Sequence, residues 1–250
     1  MTARLQAHAE APDAPQMVLL RPRALLPEVP CPVRWRRSAR ARRLSLKICP
    51  LEAAVIVTLP MRASVKAGMA LLHENAQWVT QHLRNIKPAE ALAAGATVPI
   101  GDVPHEIIHT PEGRAGVVLR EGRLVVSGGV EFLPRRVLDF LRREAGRRLL
   151  AASIPHAAAL GVRPRVIRVK DTRSRWGSCA PDGTLAFSWR LVMAPDWVLD
   201  YVVAHEVAHL RELNHSPRFW ALVEQLTPHH DAANAWLKRE GPRLLRVGEA

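Results

Sequence analysis

Two histidines separated by three residues, His205 and His209, constrain this chain more than any other feature of its sequence. They lie in residues 200–210, which read DYVVAHEVAHL. If this run is helical, both imidazoles lie on one face, about one turn or roughly 6 Å of rise apart, and can converge on one metal ion. Glu206 then lies about 100° around the helix, where it can reach a water molecule on that ion. This is the arrangement of a zinc hydrolase.

The residues around this motif predict a buried helix. Pro195 suits the first helical position, because its missing N–H would have no partner there. Apolar residues occupy most of the other positions: Val198, Leu199, Tyr201, Val202, Val203, Val207, Ala208 and Leu210. Burying the motif without partners would cost on the order of several kcal/mol, which metal coordination offsets. The alternative is a core helix whose histidines bond to backbone groups.

A second HExxH sequence, His105 to His109, is predicted not to bind a metal. Pro104 precedes it, Pro111 follows it, and the β-branched Ile107 and Ile108 favour a strand. In a strand the two histidines would lie about 13 Å apart, too far to share an ion. We therefore expect an edge or hairpin strand here.

His215 is the predicted third ligand, because the spacing His-x3-His-x5-His is the one that metzincin proteases use. Glu212 stands where those proteases have glycine, so the chain is not assigned to them. Asn214 can break the helix instead, since asparagine tolerates a left-handed conformation. Ser216 and the proline after it then open a further helix. The alternative third ligands are Glu212, His229 and His230.

Several segments together carry a resemblance to a known family: residues 203–210, 214–220, 173–179 and 236–238. They resemble the YgjP-like metallopeptidase family, which is related to SprT-like zinc proteases. The resemblance is dense over residues 166–245 and looser over 34–133. It implies a zinc-dependent hydrolase of cytoplasmic bacterial type, with three histidine ligands and a glutamate base. Some members of the family carry a nucleotide pyrophosphatase label.

The resemblance also places residues 173–176 near the site. Arg173 or Arg175 could then bind a carboxylate or phosphate of the substrate. The alternative is a strand that directs both arginines to solvent while Trp176 packs in the core.

Local patterns predict the order of helices and strands. Strands are expected near residues 44–48, 55–59, 98–109, 117–120, 123–127, 166–169 and 184–189, with a hairpin turn at Glu121 and Gly122. Helices are expected at residues 64–86, 134–161, 217–226 and 231–240, beside the one that carries His205. Gly161 should end the long helix, Pro155 should kink it, and Gly241 with Pro242 should stop the last one.

This order predicts an α+β fold, with a β-rich N-terminal half and a helical, zincin-like C-terminal half carrying the HExxH helix. Residues 1–30 are rich in alanine and proline and are predicted to be a disordered tail. Residues 31–133 form the β-rich part and residues 134–250 the metallopeptidase part. Residues 31–250 could also form a single domain.

The chain is strongly basic, with a formal net charge of +13; only five of its 36 basic residues are lysine. Arginine binds phosphate with a bidentate fork, so contact with nucleic acid is one hypothesis. The other interpretation is a genome rich in codons for alanine, arginine and proline. The densest patch surrounds Trp35: Arg34, Arg36, Arg37, Arg40, Arg42 and Arg43.

Composition also indicates in which cellular compartment the chain is expected. No run of eighteen apolar residues is present, so no membrane span or membrane partner is expected, and residues 17–20 are too short for a signal-peptide core. The three cysteines, Cys31, Cys49 and Cys179, have no metal-pair spacing and are expected to be free thiols in a reducing compartment. The chain is predicted to be cytoplasmic.

Three functional hypotheses follow. The first is a zinc metallopeptidase that cleaves a peptide or protein, with His205, His209 and His215 holding Zn²⁺ and Glu206 activating a water molecule. The second is a metal-dependent nucleotide pyrophosphatase or phosphohydrolase, although Mg²⁺ chemistry favours carboxylate ligands. The third is a nucleic-acid-associated protein with a structural metal, which needs a fourth protein ligand.

Overall fold

The computed structural model describes residues 15–23, 27–50, 52–86, 91–113, 116–172 and 175–248. The chain is α+β, as predicted, and divides into two compact units, Met1–Pro88 and Ala89–Ala250. The predicted division at residue 133 differs from this one. The physical reason is that strand residues such as Ile107 and Leu124 share one hydrophobic core with the helices that follow them.

The first unit contains a four-stranded sheet and two helices. The strands are β1 (Gln16–Leu20), β2 (Val29–Ser38), β3 (Ser45–Cys49) and β4 (Ala54–Pro60), in the order β1-β2-β4-β3. The helices are α1 (Val65–Glu74) and α2 (Ala76–Arg84), where the sequence predicted one helix. The helical segment is interrupted at Asn75. The side-chain amide of Asn75 donates to the Leu71 carbonyl and so competes with the helical hydrogen bonds.

Strand β1 corrects the prediction of a disordered tail. Val18 and Leu20 are buried, whereas Met17 and Leu19 are more than half exposed, so the strand has one apolar face towards the core. It pairs antiparallel with β2. The expectation of disorder was therefore wrong for Gln16–Leu20, because backbone pairing with a partner strand is invisible to composition. Residues 1–14 lie outside the described part of the chain.

The second unit begins with the strands β5 (Thr97–Ile100), β6 (Val103–Thr110), β7 (Val117–Arg120) and β8 (Arg123–Ser127), in the order β5-β6-β8-β7. The single strand predicted over 98–109 is a hairpin, turned by Gly101 and Asp102 in left-handed conformations. The predicted turn at Glu121 and Gly122 is confirmed.

Strand β6 carries the second HExxH sequence, which confirms that His105 and His109 do not lie on a helix. The strand forms a hairpin with β5, which is one of the two predicted positions, and it also pairs with β8, so it does not lie at the edge of the sheet. Nδ1 of His105 lies 2.7 Å from the Val103 carbonyl, and Nε2 of His109 lies 2.6 Å from the Gly128 carbonyl. Both rings thus bond to backbone groups.

The remaining elements form a three-stranded sheet and four helices. The strands are β9 (Val166–Lys170), β10 (Gly177–Cys179) and β11 (Thr184–Ser188), in the order β10-β11-β9. The helices are α3 (Leu133–Leu160), α4 (Asp196–Ala208), α5 (Pro217–Leu226) and α6 (His230–Leu244). Gly161 ends α3 in a left-handed conformation, as predicted, and Pro155 lies inside that helix.

Helix α6 continues through Gly241 and Pro242, where a stop was predicted. The glycine has a packing role instead, because a Cβ placed on it would lie only 2.9 Å from the Trp176 ring. None of the helices in the described ranges is long and apolar enough to cross a membrane. All three cysteines are free, and Cys31 is buried.

Candidate metal centre

Helix α4 holds His205, Glu206 and the start of the turn that carries His209. The helix is buried on most sides, as its sequence predicts. It begins one residue later than expected, with Pro195 as its N-cap rather than its first residue. The His205 and His209 ring centroids lie 5.0 Å apart, so the helical spacing does bring the two imidazoles together.

His215 joins this pair from the loop between α4 and α5. Its Nε2 lies 3.2 Å from Nε2 of His205, and its ring centroid lies 4.7 Å from that of His209. One ligand atom from each of the three residues lies within 4.8 Å of the others, a group that could hold a metal ion. The structure therefore brings together the three histidines that the sequence predicted.

The alternative third ligands lie outside this group of described residues. The backbone carbonyl of Glu212 accepts a hydrogen bond from Nδ1 of His209 at 3.0 Å. That bond fixes the ring and leaves Nε2 of His209 available to a metal. His229 packs against Trp197, and His230 packs against Trp220, with centroid distances of 5.8 and 4.6 Å.

The corner that carries His215 is held by two local hydrogen bonds. The Asn214 side chain accepts from the Ser216 N–H at 2.9 Å, and the Ser216 hydroxyl accepts from the Phe219 N–H at 3.3 Å. Ser216 is thus the N-cap of α5, as predicted. Asn214 is not left-handed, and α4 already ends at Ala208, so the prediction that Asn214 breaks the helix was wrong; its side chain shapes the corner before α5 instead.

The electrostatics of the histidines suit metal binding. Burial, and then the neighbouring histidines, lower the pKa of His205 to about 4. The pKa of His209 is also lowered, chiefly by burial. Both rings are therefore neutral at pH 7, which is the form that ligates a metal. Nδ1 of His205 is buried without a hydrogen-bond partner, whereas its Nε2 faces Nε2 of His215 at 3.2 Å.

Glu206 is buried beside the histidines, with 6% of its surface exposed. Burial raises its pKa to about 7, while the charge of Arg175 and a hydrogen bond from the Cys179 backbone act in the opposite direction. Strand β10 supplies that hydrogen bond by passing very close to the carboxyl group. A Cβ placed on Gly177 would lie 2.5 Å from Oε1 of Glu206, so only glycine leaves room for this contact.

Only one of the two predicted substrate-binding arginines can be located. Arg175 is exposed, and its carbonyl accepts a hydrogen bond from the Thr172 hydroxyl at 2.7 Å. Its charge acts to lower the pKa of Glu206, and it lies in the segment before β10 rather than in a strand. Arg173 lies outside the described residues. Trp176 packs against the core, as the alternative interpretation proposed.

Sequence reasoning missed two contributions to the site. Gly177 and Cys179 belong to the segment 173–179 that carries the family resemblance, but nothing local assigned them to the carboxyl group of Glu206. Phe219 stacks on His209 with centroids 4.3 Å apart. The signal for Phe219 was available, because it lies one helical turn after the N-cap Ser216 and so points back towards the corner.

Comparison with known proteins agrees with this geometry. The family model described as YgjP-like, metallopeptidase domain, matches residues 42–240, and because this is most of the chain, the chain belongs to that family. No curated protein matches it significantly. A solved structure, the metallopeptidase zymogen of Pyrococcus abyssi abylysin, is similar at 22% identity over 40% of this chain and 97% of that one. The TM-score of that match is 0.34.

Proposed function

We propose that this YgjP-like metallopeptidase hydrolyses peptide bonds with a zinc ion held by His205, His209 and His215. The observation that carries the proposal is the convergence of three imidazoles beside one buried carboxyl group. Imidazole ligands suit zinc better than Mg²⁺, which prefers oxygen. Three protein ligands also leave one position of a tetrahedral site open, which is typical of catalytic rather than structural zinc.

Glu206 is the proposed general base. When bound, zinc supplies the Lewis acidity that polarises a carbonyl group and acidifies a water molecule. Glu206 takes a proton from that water and passes it to the leaving amine. In the metal-free protein burial raises the pKa of this carboxyl group above its ordinary value, so it is a stronger base than an exposed glutamate.

Arg175 is the proposed substrate-binding residue. It is exposed to solvent and its charge acts on Glu206, so a substrate that reaches the carboxyl group also meets the guanidinium. Arginine forms charge-assisted hydrogen bonds to carboxylates and carbonyl oxygens. Arg175 would thus orient the peptide, while Glu206 transfers the proton.

The two alternative functions have weaker support. A Mg²⁺-dependent phosphohydrolase would need several carboxylates, whereas the group found among the described residues consists of three histidines. A structural metal would need a fourth protein ligand, and the same group offers none. The cytoplasmic location stays a prediction from composition.

The first experiment measures zinc per chain by mass spectrometry in the wild type, His209→Ala and His109→Ala. The second HExxH sequence gives a matched control, because His109→Ala removes the equivalent histidine from a strand. We expect about one zinc in the wild type and the control and almost none in His209→Ala. Equal zinc in all three proteins would refute the assigned site.

A peptidase assay on the zinc-loaded protein then tests the reaction. Glu206→Gln should keep zinc and lose hydrolysis, whereas Glu106→Gln, the matching change at an exposed position of β6, should keep both. Cleavage of nucleoside triphosphates but of no peptide would favour the phosphohydrolase instead.

A further inference from the structure

The first unit carries an unusual concentration of positive charge. Residues 29–73 contain seven arginines and two lysines but a single acidic residue, Glu52. The carboxylate of Glu52 forms an ion pair with Arg34 at 2.8 Å, so its charge is already matched within the protein. The rest of the segment contains no acid that could balance the other basic residues.

Some of these arginines stabilise the sheet. Arg36 donates to the Thr58 hydroxyl at 3.2 Å, across the pair β2 and β4. Arg37 donates to the Met61 and Ala63 carbonyls at 2.9 and 3.0 Å, which ties the loop after β4 to the end of β2. Their guanidinium groups are therefore engaged in holding the fold.

Five of the remaining six basic residues converge at one end of the sheet, and the sixth, Lys47, lies within β3. The register Ser38↔Pro60 and Ser45↔Thr58 places the end of β2, the end of β4 and the start of β3 side by side. The loops that leave these strand ends, with the first turn of α1, carry the residues that we name the basic end: Arg40, Arg42, Arg43, Arg62 and Lys66. All five are exposed, and within the described ranges none forms an ion pair or side-chain hydrogen bond.

This arrangement is electrostatically unfavourable for the protein alone. Like charges repel one another, and Lys66 lies in the first turn of α1, where the helix dipole disfavours a cation and no acidic residue compensates it. A polyanion would remove both costs. Four of the five residues are arginine, whose planar fork matches a phosphate group better than an ammonium group does.

We propose that the basic end binds the phosphodiester backbone of nucleic acid. The contacts are to phosphate, so we expect little preference for base sequence and a strong dependence on salt. The surface consists of residues of the first unit and needs no residue of the metal centre. Binding should therefore persist in the zinc-free protein, which separates this proposal from the proposed peptidase activity.

The test measures the fluorescence anisotropy of a labelled 30-base-pair DNA duplex, titrated with the full-length protein between 50 and 200 mM salt. The variant Arg40→Ala/Arg42→Ala/Arg43→Ala/Arg62→Ala should bind at least about tenfold more weakly at 100 mM salt. Its plot of log affinity against log salt should become shallower by roughly 0.9 for each phosphate that the variant no longer neutralises. The pair Arg42→Ala/Arg43→Ala should show a smaller change in the same direction.

A matched control removes the same charge from the second unit. Arg120, Arg143, Arg163 and Arg168 are also exposed and have no ion pair among the described residues. Their fourfold alanine variant should bind DNA within about twofold of the wild type, since it leaves the basic end intact. Circular dichroism should show both variants to be folded.

Three outcomes would overturn the proposal. One is an equal fall in affinity in the two fourfold variants, which would mean that only net charge matters. Another is the absence of wild-type binding at 100 mM salt. The third is binding to vesicles containing 30% phosphatidylserine without binding to DNA, which would make the basic end a membrane-docking surface.

Discussion

Gly177 and Glu206 are in such close contact that a Cβ on Gly177 would lie 2.5 Å from Oε1 and 2.6 Å from Cγ of Glu206. The backbone of β10 thus forms one wall of the site and supplies an N–H, from Cys179, to the same carboxyl group. Gly177 is not in a left-handed conformation, so its requirement for glycine is one of space rather than of backbone angle.

Gly177→Ala should therefore impair catalysis more than folding. The new methyl group would push Glu206 into another rotamer, and a displacement of about 1 Å in a catalytic group can cost roughly 100-fold in rate. We expect kcat/KM to fall by about that factor while zinc content stays near one per chain. Gly146→Ala is the control, because its Cβ would meet only Val169 at 3.6 Å inside helix α3. Wild-type activity in Gly177→Ala would disprove the close contact.

His215→Ala should remove zinc, because its Nε2 lies 3.2 Å from that of His205 and it belongs to the group of three histidines. His230→Ala should retain about one zinc per chain, since His230 packs on Trp220 outside the ligand group. Zinc content after dialysis, measured by mass spectrometry, distinguishes the two. If His230→Ala lost zinc and His215→Ala kept it, the third ligand would be His230 of helix α6 rather than His215 of the loop.

Glu206 should make the stability of the metal-free protein depend on pH. Its folded pKa of about 7 exceeds the unfolded value near 4.5, so folding disfavours the ionised form. Below pH 4.5 both states are protonated and stability is unaffected; as pH rises to 7, stability falls by an amount on the order of 3 kcal/mol. In EDTA, the Tm of Glu206→Gln should therefore equal that of the wild type at pH 4.5 and exceed it at pH 8. A difference independent of pH would contradict the burial of the carboxyl group.

Arg175→Ala should weaken catalysis through substrate binding. Removing one charge-assisted hydrogen bond corresponds to roughly a 10- to 100-fold fall in kcat/KM, expressed mainly in KM. Zinc content should not change, because Arg175 is not a ligand. Arg143→Ala, an exposed arginine on α3, provides the control. An unchanged KM in Arg175→Ala would leave that residue with no role in binding substrate.

The sequence predicted those features that depend on local geometry. The spacing of His205 and His209 specifies one face of a helix, and Ser216 followed by Pro217 specifies the start of the next helix. The same reasoning separated this motif from the one at His105, because proline and β-branched residues disfavour a helix there. Each of these conclusions needs only neighbouring residues, so no knowledge of packing was required.

Tertiary structure alone decided the contacts between distant segments. Strand β1 pairs with β2, and Gly177 meets Glu206 across nearly thirty residues of chain. Gly241 was predicted to stop the helix, yet it lies inside α6, where it leaves room for the Trp176 ring. Short-range periodicity determines which face of a helix or strand is apolar. Which other element packs against that face depends on how all the elements bury their apolar surface together. The cluster of three histidines could therefore be predicted from sequence, while the strand β10 that packs against Glu206 could not.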